Sequence, residues 1–184
     1  MVILGVDPGT LITGYGIIET NNGKMRMLAC GTVTNASKHS MPLRLKHIYD
    51  TLNQVMSKFH PDEFAIETAF YGKNAQSALK LGHARGVAIL AAVEKEIPTS
   101  EYSPREVKKA IVGNGTASKE QVQYMVKSLL GLRKAPEQYD MTDALAVAIC
   151  HVHRFGSSPG PVKSWKAYVS AHPDKISRSL RKPT

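Results

Sequence analysis

The sequence predicts an α/β protein, a five-stranded mixed sheet flanked by helices. Three observations carry that prediction. The first 34 residues hold three apolar runs parted by turn signals, and the rest alternates strand-like with helix-like segments. The composition, 42% hydrophobic and 21% charged, is that of an ordinary core-forming chain. At 184 residues the length suits one domain with a tail.

The elements follow in order. Val2–Val6 is a short apolar strand ending in Asp7-Pro8-Gly9, where proline and glycine stand as a type II turn wants them. Tyr15–Ile18 is the second strand, Asn21-Asn22-Gly23 a hairpin turn and Met25–Val33 the third strand. Leu45, Ile48, Leu52, Val55 and Phe59 step by 3, 4, 3 and 4, which puts one apolar stripe on a helix that Pro61 ends. Phe64–Ile66 resumes as a buried strand. Asn74–Lys95 is an alanine-rich helix, with Val87, Ala88, Ile89 and Leu90 expected in its buried part. Pro98–Tyr102 is the fifth strand, and Ser103-Pro104-Arg105-Glu106 fits a capping box with proline at the first helical position. Gly113-Asn114-Gly115 breaks that helix, Val122–Leu130 marks the next one before Gly131, and a last helix runs from about Asp140 to His153.

The charge is uneven. Lysine and arginine number 24 against 15 acids, a net +9, which favours a polyanionic partner. Residues 1–154 carry a surplus of four basic side chains, whereas residues 155–184 carry six basic residues against Asp174 alone. That stretch has no sustained apolar period and reads as a flexible basic tail, able to lie along a phosphate backbone or serving only solubility. Two cysteines, Cys30 and Cys150, exclude a disulfide scaffold or a cysteine-rich zinc module and point to a reduced, cytoplasmic setting. The N-terminus lacks a basic n-region, and no apolar run approaches the ~18 residues of a membrane helix, so secreted and membrane classes are not expected.

Four acids stand at unusual places. Asp7 ends the first strand, Glu67 ends the fourth, and Asp140 and Asp143 sit three apart, hence on one face, at the head of the last helix. Each has a plainer explanation: Asp7 as a turn residue, Glu67 as a surface residue, Asp140 as an N-cap and Asp143 as a first-turn acid favoured by the helix dipole. Gathered together they would repel severely, since two charges ~4 Å apart interact by ~4 kcal/mol at an effective dielectric near 20. Such a cluster needs raised pKa values or bound cations, and oxygen-only donors favour hard ions such as Mg²⁺ or Mn²⁺. Spacing does not establish convergence, because more than 70 residues separate Glu67 from Asp140.

Over residues 1–154 the chain resembles the RuvC family of bacterial Holliday junction resolvases. The matching stretches are Ile3–Thr10 with Thr13–Gly16, Ile66-Glu67 through Phe70, and Lys73–Gly82. They continue with Ala84–Ala88, Glu101-Tyr102, Val107-Lys108, Val112–Gly115, Lys119 and Asp140–Ala146. The resemblance implies a ribonuclease H-like fold with the first and fourth strands side by side and the last helix delivering its N-terminus to their ends. It makes Asp7, Glu67, Asp140 and Asp143 the catalytic acids, holding two Mg²⁺ per subunit with Mn²⁺ as a substitute. Asp7, central in the site, would be the bridging ligand. The reaction implied is phosphodiester hydrolysis by in-line attack of a metal-activated water.

Lys108 and Lys119 match positions where the family carries lysines near the scissile phosphate, there to favour the charge of the transition state. Lys73, Lys80, Arg85 and Lys109 are expected to contact the DNA backbone, which positions without reading sequence. Phe70 matches a family aromatic that wedges into the junction, and with Tyr71 it would stack on an unpaired base. The seven histidines show no ligand pairing. Two matched cuts call for a C2 homodimer, with the alanine-rich second helix as the candidate face. Kinship also implies work with the RuvA–RuvB branch-migration complex. Two other classes stay open at this point. One is a non-catalytic junction-binding module, which would bind equally with or without divalent metal. The other is an actin-like phosphotransferase, suggested by Gly5–Thr10 alone, for which the chain is too short to supply a second domain.

Overall fold

The computed structural model describes residues 1–68 and 75–155. Among them run the strands β1 (Val2–Asp7), β2 (Ile12–Asn21), β3 (Lys24–Thr34), β4 (Glu63–Glu67) and β5 (Thr99–Tyr102). The helices are α1 (Met41–Phe59), α2 (Ala75–Glu94), α3 (Pro104–Val112), α4 (Lys119–Leu129) and α5 (Tyr139–Phe155). The strands form one sheet in the order β3-β2-β1-β4-β5. β1 pairs antiparallel with β2, and β2 with β3, while β1–β4 and β4–β5 are parallel. This is the mixed sheet of a ribonuclease H-like fold, with the first and fourth strands adjacent. The two-residue turn at Asn22-Gly23, with φ of 49° and 77°, sets the β2–β3 register.

Local chemistry fixes the helix ends. His60 caps α1 in the left-handed conformation, its amide bonded to the Met56 carbonyl, and Pro61 follows. Ser103 and Glu106 form the expected capping box on α3, and Gly113 (φ 84°) ends it. A second box, Ser118 with Gln121, opens α4 and so fixes the backbone of Lys119.

The sheet carries a core on each face. On one, Leu4, Val6, Ile17, Phe64 and Ile66 pack with Ile48 and Leu52 of α1 and the alanines 84, 88, 91 and 92 of α2. On the other, Ile3, Ile18 and Ala65 meet α3, α4 and α5, whose segment Ala144–Cys150 is wholly buried. Three strand glycines make this second face unusual. A Cβ on Gly5 would lie 2.2 Å from the Ala144 carbonyl oxygen, one on Gly14 2.0 Å from that of Asp140, and one on Gly16 2.7 Å from the Leu145 side chain. The backbone of α5 therefore rests directly on β1 and β2, as glycine in a strand interior permits.

The structure corrects several details. Gly9 is not at the positive φ of a type II turn. It is glycine because a Cβ there would strike the Ile12 carbonyl oxygen at 2.2 Å, a closure that Thr13 secures by donating to the Gly9 carbonyl at 2.6 Å. Leu90 is 59% exposed rather than buried, and Val87 and Ile89 are only partly buried, because the small residues of α2 form its inner face. The last helix begins at Tyr139, so Asp140 lies inside its first turn and is not the N-cap. Asn35, buried, accounts for its polarity by bonding the carbonyls of Thr10 and Arg44 and sharing a 2.9 Å hydrogen bond with His47.

Candidate active site

Pairing of β1 with β4 in parallel, Val6 opposite Ile66, brings Asp7 and Glu67 to the same end of adjacent strands. Asp7 also stands opposite Gly14 of β2, and Gly14 is where the first turn of α5 touches the sheet. The glycine seat thus sets Asp140 and Asp143 beside the two strand-end acids. Asp7, Glu67 and Asp143 line one cleft of about 270 Å³, together with Pro104, Val107, Lys108, Lys119 and Val122.

The electrostatics record this crowding. Asp7 is pushed up to about 8, first by burial and then by the charges of Glu67, Asp143 and Asp140. Glu67 is pushed up to about 7 by burial and by Asp143, against the pull of Lys119 and Lys108. Asp143 is also raised by burial, though Lys119 opposes the shift through a 3.3 Å hydrogen bond from its Nζ to Oδ2. Lys119 itself is held more firmly protonated, chiefly by Asp143.

Chemically, the donor set suits a hard divalent cation. It is all oxygen, and near neutrality Asp7 is mostly and Glu67 partly protonated unless positive charge relieves them. Among the described residues, however, no three acidic, histidine or cysteine side chains are gathered into a finished coordination shell. The four acids share one end of the sheet and one electric field, and Asp143 is turned toward Lys119.

The other expected residues separate into groups. Lys108 lines the cleft from α3 and Lys119 from the head of α4. Lys109 is exposed on α3 and Lys80 on α2. Arg85 is no free cation: it forms an ion pair with Glu101 of β5. Phe70, Tyr71, Lys73 and the 156–184 tail lie outside the described residues. His151 is a core residue, its Nδ1 sharing a 2.8 Å hydrogen bond with the Tyr102 hydroxyl. Sequence reasoning missed the apolar wall of the cleft, Pro104, Val107 and Val122, which carries no chemical signature. It also missed the glycine seat, for which the signal was present: glycine at 5, 14 and 16 inside strands marks close backbone approach.

A sheet of this order, with carboxylates at the tips of two adjacent parallel strands and at the head of the helix laid across them, defines a ribonuclease H-like protein with an acidic cleft. The sequence model of the family described as "Crossover junction endodeoxyribonuclease RuvC" matches residues 3–151. The chain belongs to that RuvC family. A relative of that description from Salinibacter ruber is 44% identical over 178 residues, covering 96% of this chain and 99% of its own. That alignment therefore reaches well into residues 155–184. One from a Shewanella species is 51% identical over 152 residues, 83% of this chain and 87% of its own. The solved structure "T. thermophilus RuvC in complex with Holliday junction substrate" superposes with a TM-score of 0.80 at 34% identity, over 84% of this chain and 94% of that one. Nucleases of this family are metal-dependent.

Proposed function

We propose that the protein is a structure-selective endodeoxyribonuclease that resolves four-way DNA junctions by paired symmetric nicks in recombination and repair. The observation that supports this most is the placement of Asp7 and Glu67 on neighbouring strand ends, with Asp143 and Lys119 on the same cleft. The junction-bound relative of the same fold supports the choice of substrate.

Asp7, Glu67, Asp140 and Asp143 would hold magnesium, two ions per subunit, which supplies Lewis acidity and a lowered pKa for attacking water. The chain does the rest. Burial raises the cost of leaving these carboxylates uncompensated, so the site is poised to take up cations as they ionise. Lys119, standing out from the α4 cap, and Lys108 orient the scissile phosphate and favour its developing charge. Pro104, Val107 and Val122 keep one wall of the cleft apolar, which strengthens those interactions. Lys80 and Lys109, with Lys73, contact the backbone; Arg85 does so only by leaving Glu101. Phe70 and Tyr71 enter the junction and stack on its bases.

Residues 1–154 act as the nuclease domain and 155–184 as a basic arm on the DNA. Two copies join through α2, whose outer face shows Leu79, Leu90 and Val93 at 66%, 59% and 55% exposure with open space at Gly82 and Gly86. The enzyme works beside the RuvA–RuvB branch-migration complex in the cytoplasm. An immobile synthetic four-way junction with Mg²⁺ provides the test. The expected result is symmetric nicking that the Asp7→Asn variant lacks; equal cleavage of linear duplex would contradict the assignment.

A further inference from the structure

Among the described residues, the contact partners of Lys119 come from one helix. Its Nζ lies 3.3 Å from Asp143 Oδ2 and 5.7 Å from the centroid of the Tyr139 ring. Tyr139 and Asp143 are one turn apart on α5, so their side chains stack on one face and form a two-part seat, an aromatic face beside a carboxylate. We infer that Tyr139 is a positioning residue for Lys119, holding the ammonium at the cleft through its ring.

Lysine has a flexible four-carbon stem and a compact charge, and at 62% side-chain exposure the Asp143 pair alone does little to fix one rotamer. A ring face attracts the same ammonium without competing for its three donors, which stay available to carboxylate or phosphate oxygens. The ring remains in place when the Asp143 oxygens are engaged elsewhere. Tyr139 is itself 41% exposed, so it contributes little to the core and its replacement leaves the fold standing. Its hydroxyl plays no part in the contact, which makes phenylalanine the informative control. This role rests on the proposed catalytic use of Lys119.

Two measurements on the full-length protein separate the two claims. In NMR spectra the Lys119 Hε resonances are expected upfield of the exposed lysines in wild type and Tyr139→Phe, and with the exposed lysines in Tyr139→Leu. In single-turnover junction cleavage Tyr139→Leu is expected to be slower by about two- to five-fold with unchanged junction Kd, and Tyr139→Phe to cleave as wild type. In a Lys119→Met background Tyr139→Leu adds nothing. Absence of the upfield shift in wild type overturns the contact. A Tyr139→Leu defect confined to Kd, or one not rescued by phenylalanine, overturns the positioning role. Wild-type cleavage by Lys119→Met, with the Lys119 upfield shift present in the unsubstituted protein, removes the catalytic use of Lys119 and leaves the contact standing.

Discussion

The two faces of the sheet are built by different rules. Under α1 and α2 the contact is side chain on side chain, with Leu4, Ile17, Phe64 and Leu52 filling the space. Under α5 it is backbone on backbone at Gly5 and Gly14. Aliphatic packing tolerates small shifts, since volume and patterning matter more than any single contact. A helix resting on glycine cannot shift, and what it carries at its head, Asp140 and Asp143, inherits that precision. The acids belong to the face with the least freedom, and the exposed apolar stripe of α2 to the other.

That contrast is open to direct attack, the chemistry first. Asp7→Asn is expected to lower single-turnover cleavage by about 10³-fold or more while a gel-shift assay still shows junction binding. Next, Gly14→Ala is expected to slow cleavage more than about tenfold and to lower stability by about 2 kcal/mol in urea titration, because the new methyl meets the Asp140 carbonyl. Its counterpart on the opposite face, Leu52→Ala, is expected to cost about 3 kcal/mol yet leave the cleavage rate of the folded protein nearly unchanged. If both lesions depress the rate alike, the two faces are not functionally distinct. Leu90→Glu is expected to yield monomers in sedimentation and to uncouple the paired nicks, since Leu90 lies on the exposed stripe of α2 proposed as the dimer face.

The smallest expected effect is on pH dependence. Asp7 and Glu67 have folded-state pKa values raised to about 8 and about 7. The native state therefore holds protons that the unfolded chain releases near pH 4, and this stability is complete below that pH and lost as pH rises through 7 and 8. Metal-free protein is thus expected to have a lower melting temperature at pH 8.5 than at pH 5.5 in calorimetry. Mg²⁺ is expected to restore the loss, and Asp7→Asn to reduce it.

Much of this was legible in the sequence. Periodicity located α1, the Ser103–Glu106 box located α3, and Asn22-Gly23 located the hairpin, because each is a local rule expressed within a few residues. Strand adjacency was not local: nothing between Asp7 and Glu67 says that β1 and β4 pair in parallel, and family resemblance supplied that step. The inner and outer faces of α2 were misread because alanines, not the bulkier Val87, Ile89 and Leu90, pack against the sheet. Leucine usually signals the core, but close helix approach reverses the preference. The ion pair of Arg85 with Glu101 was equally invisible, since its partners are sixteen residues apart on different elements.

The wholly buried run Ala144–Cys150 has a consequence for biosynthesis. A ribosome translating this message must reach the final helix before that side of the sheet is fully covered, and that helix brings half of the acids with it. A chain stalled before Asp140 has Asp7 and Glu67 but neither Asp140 nor Asp143, and an apolar surface open to chaperones. A fragment that ends before Asp140 thus lacks both the last layer of the core and half of the proposed acid set, and is expected to be nucleolytically inert.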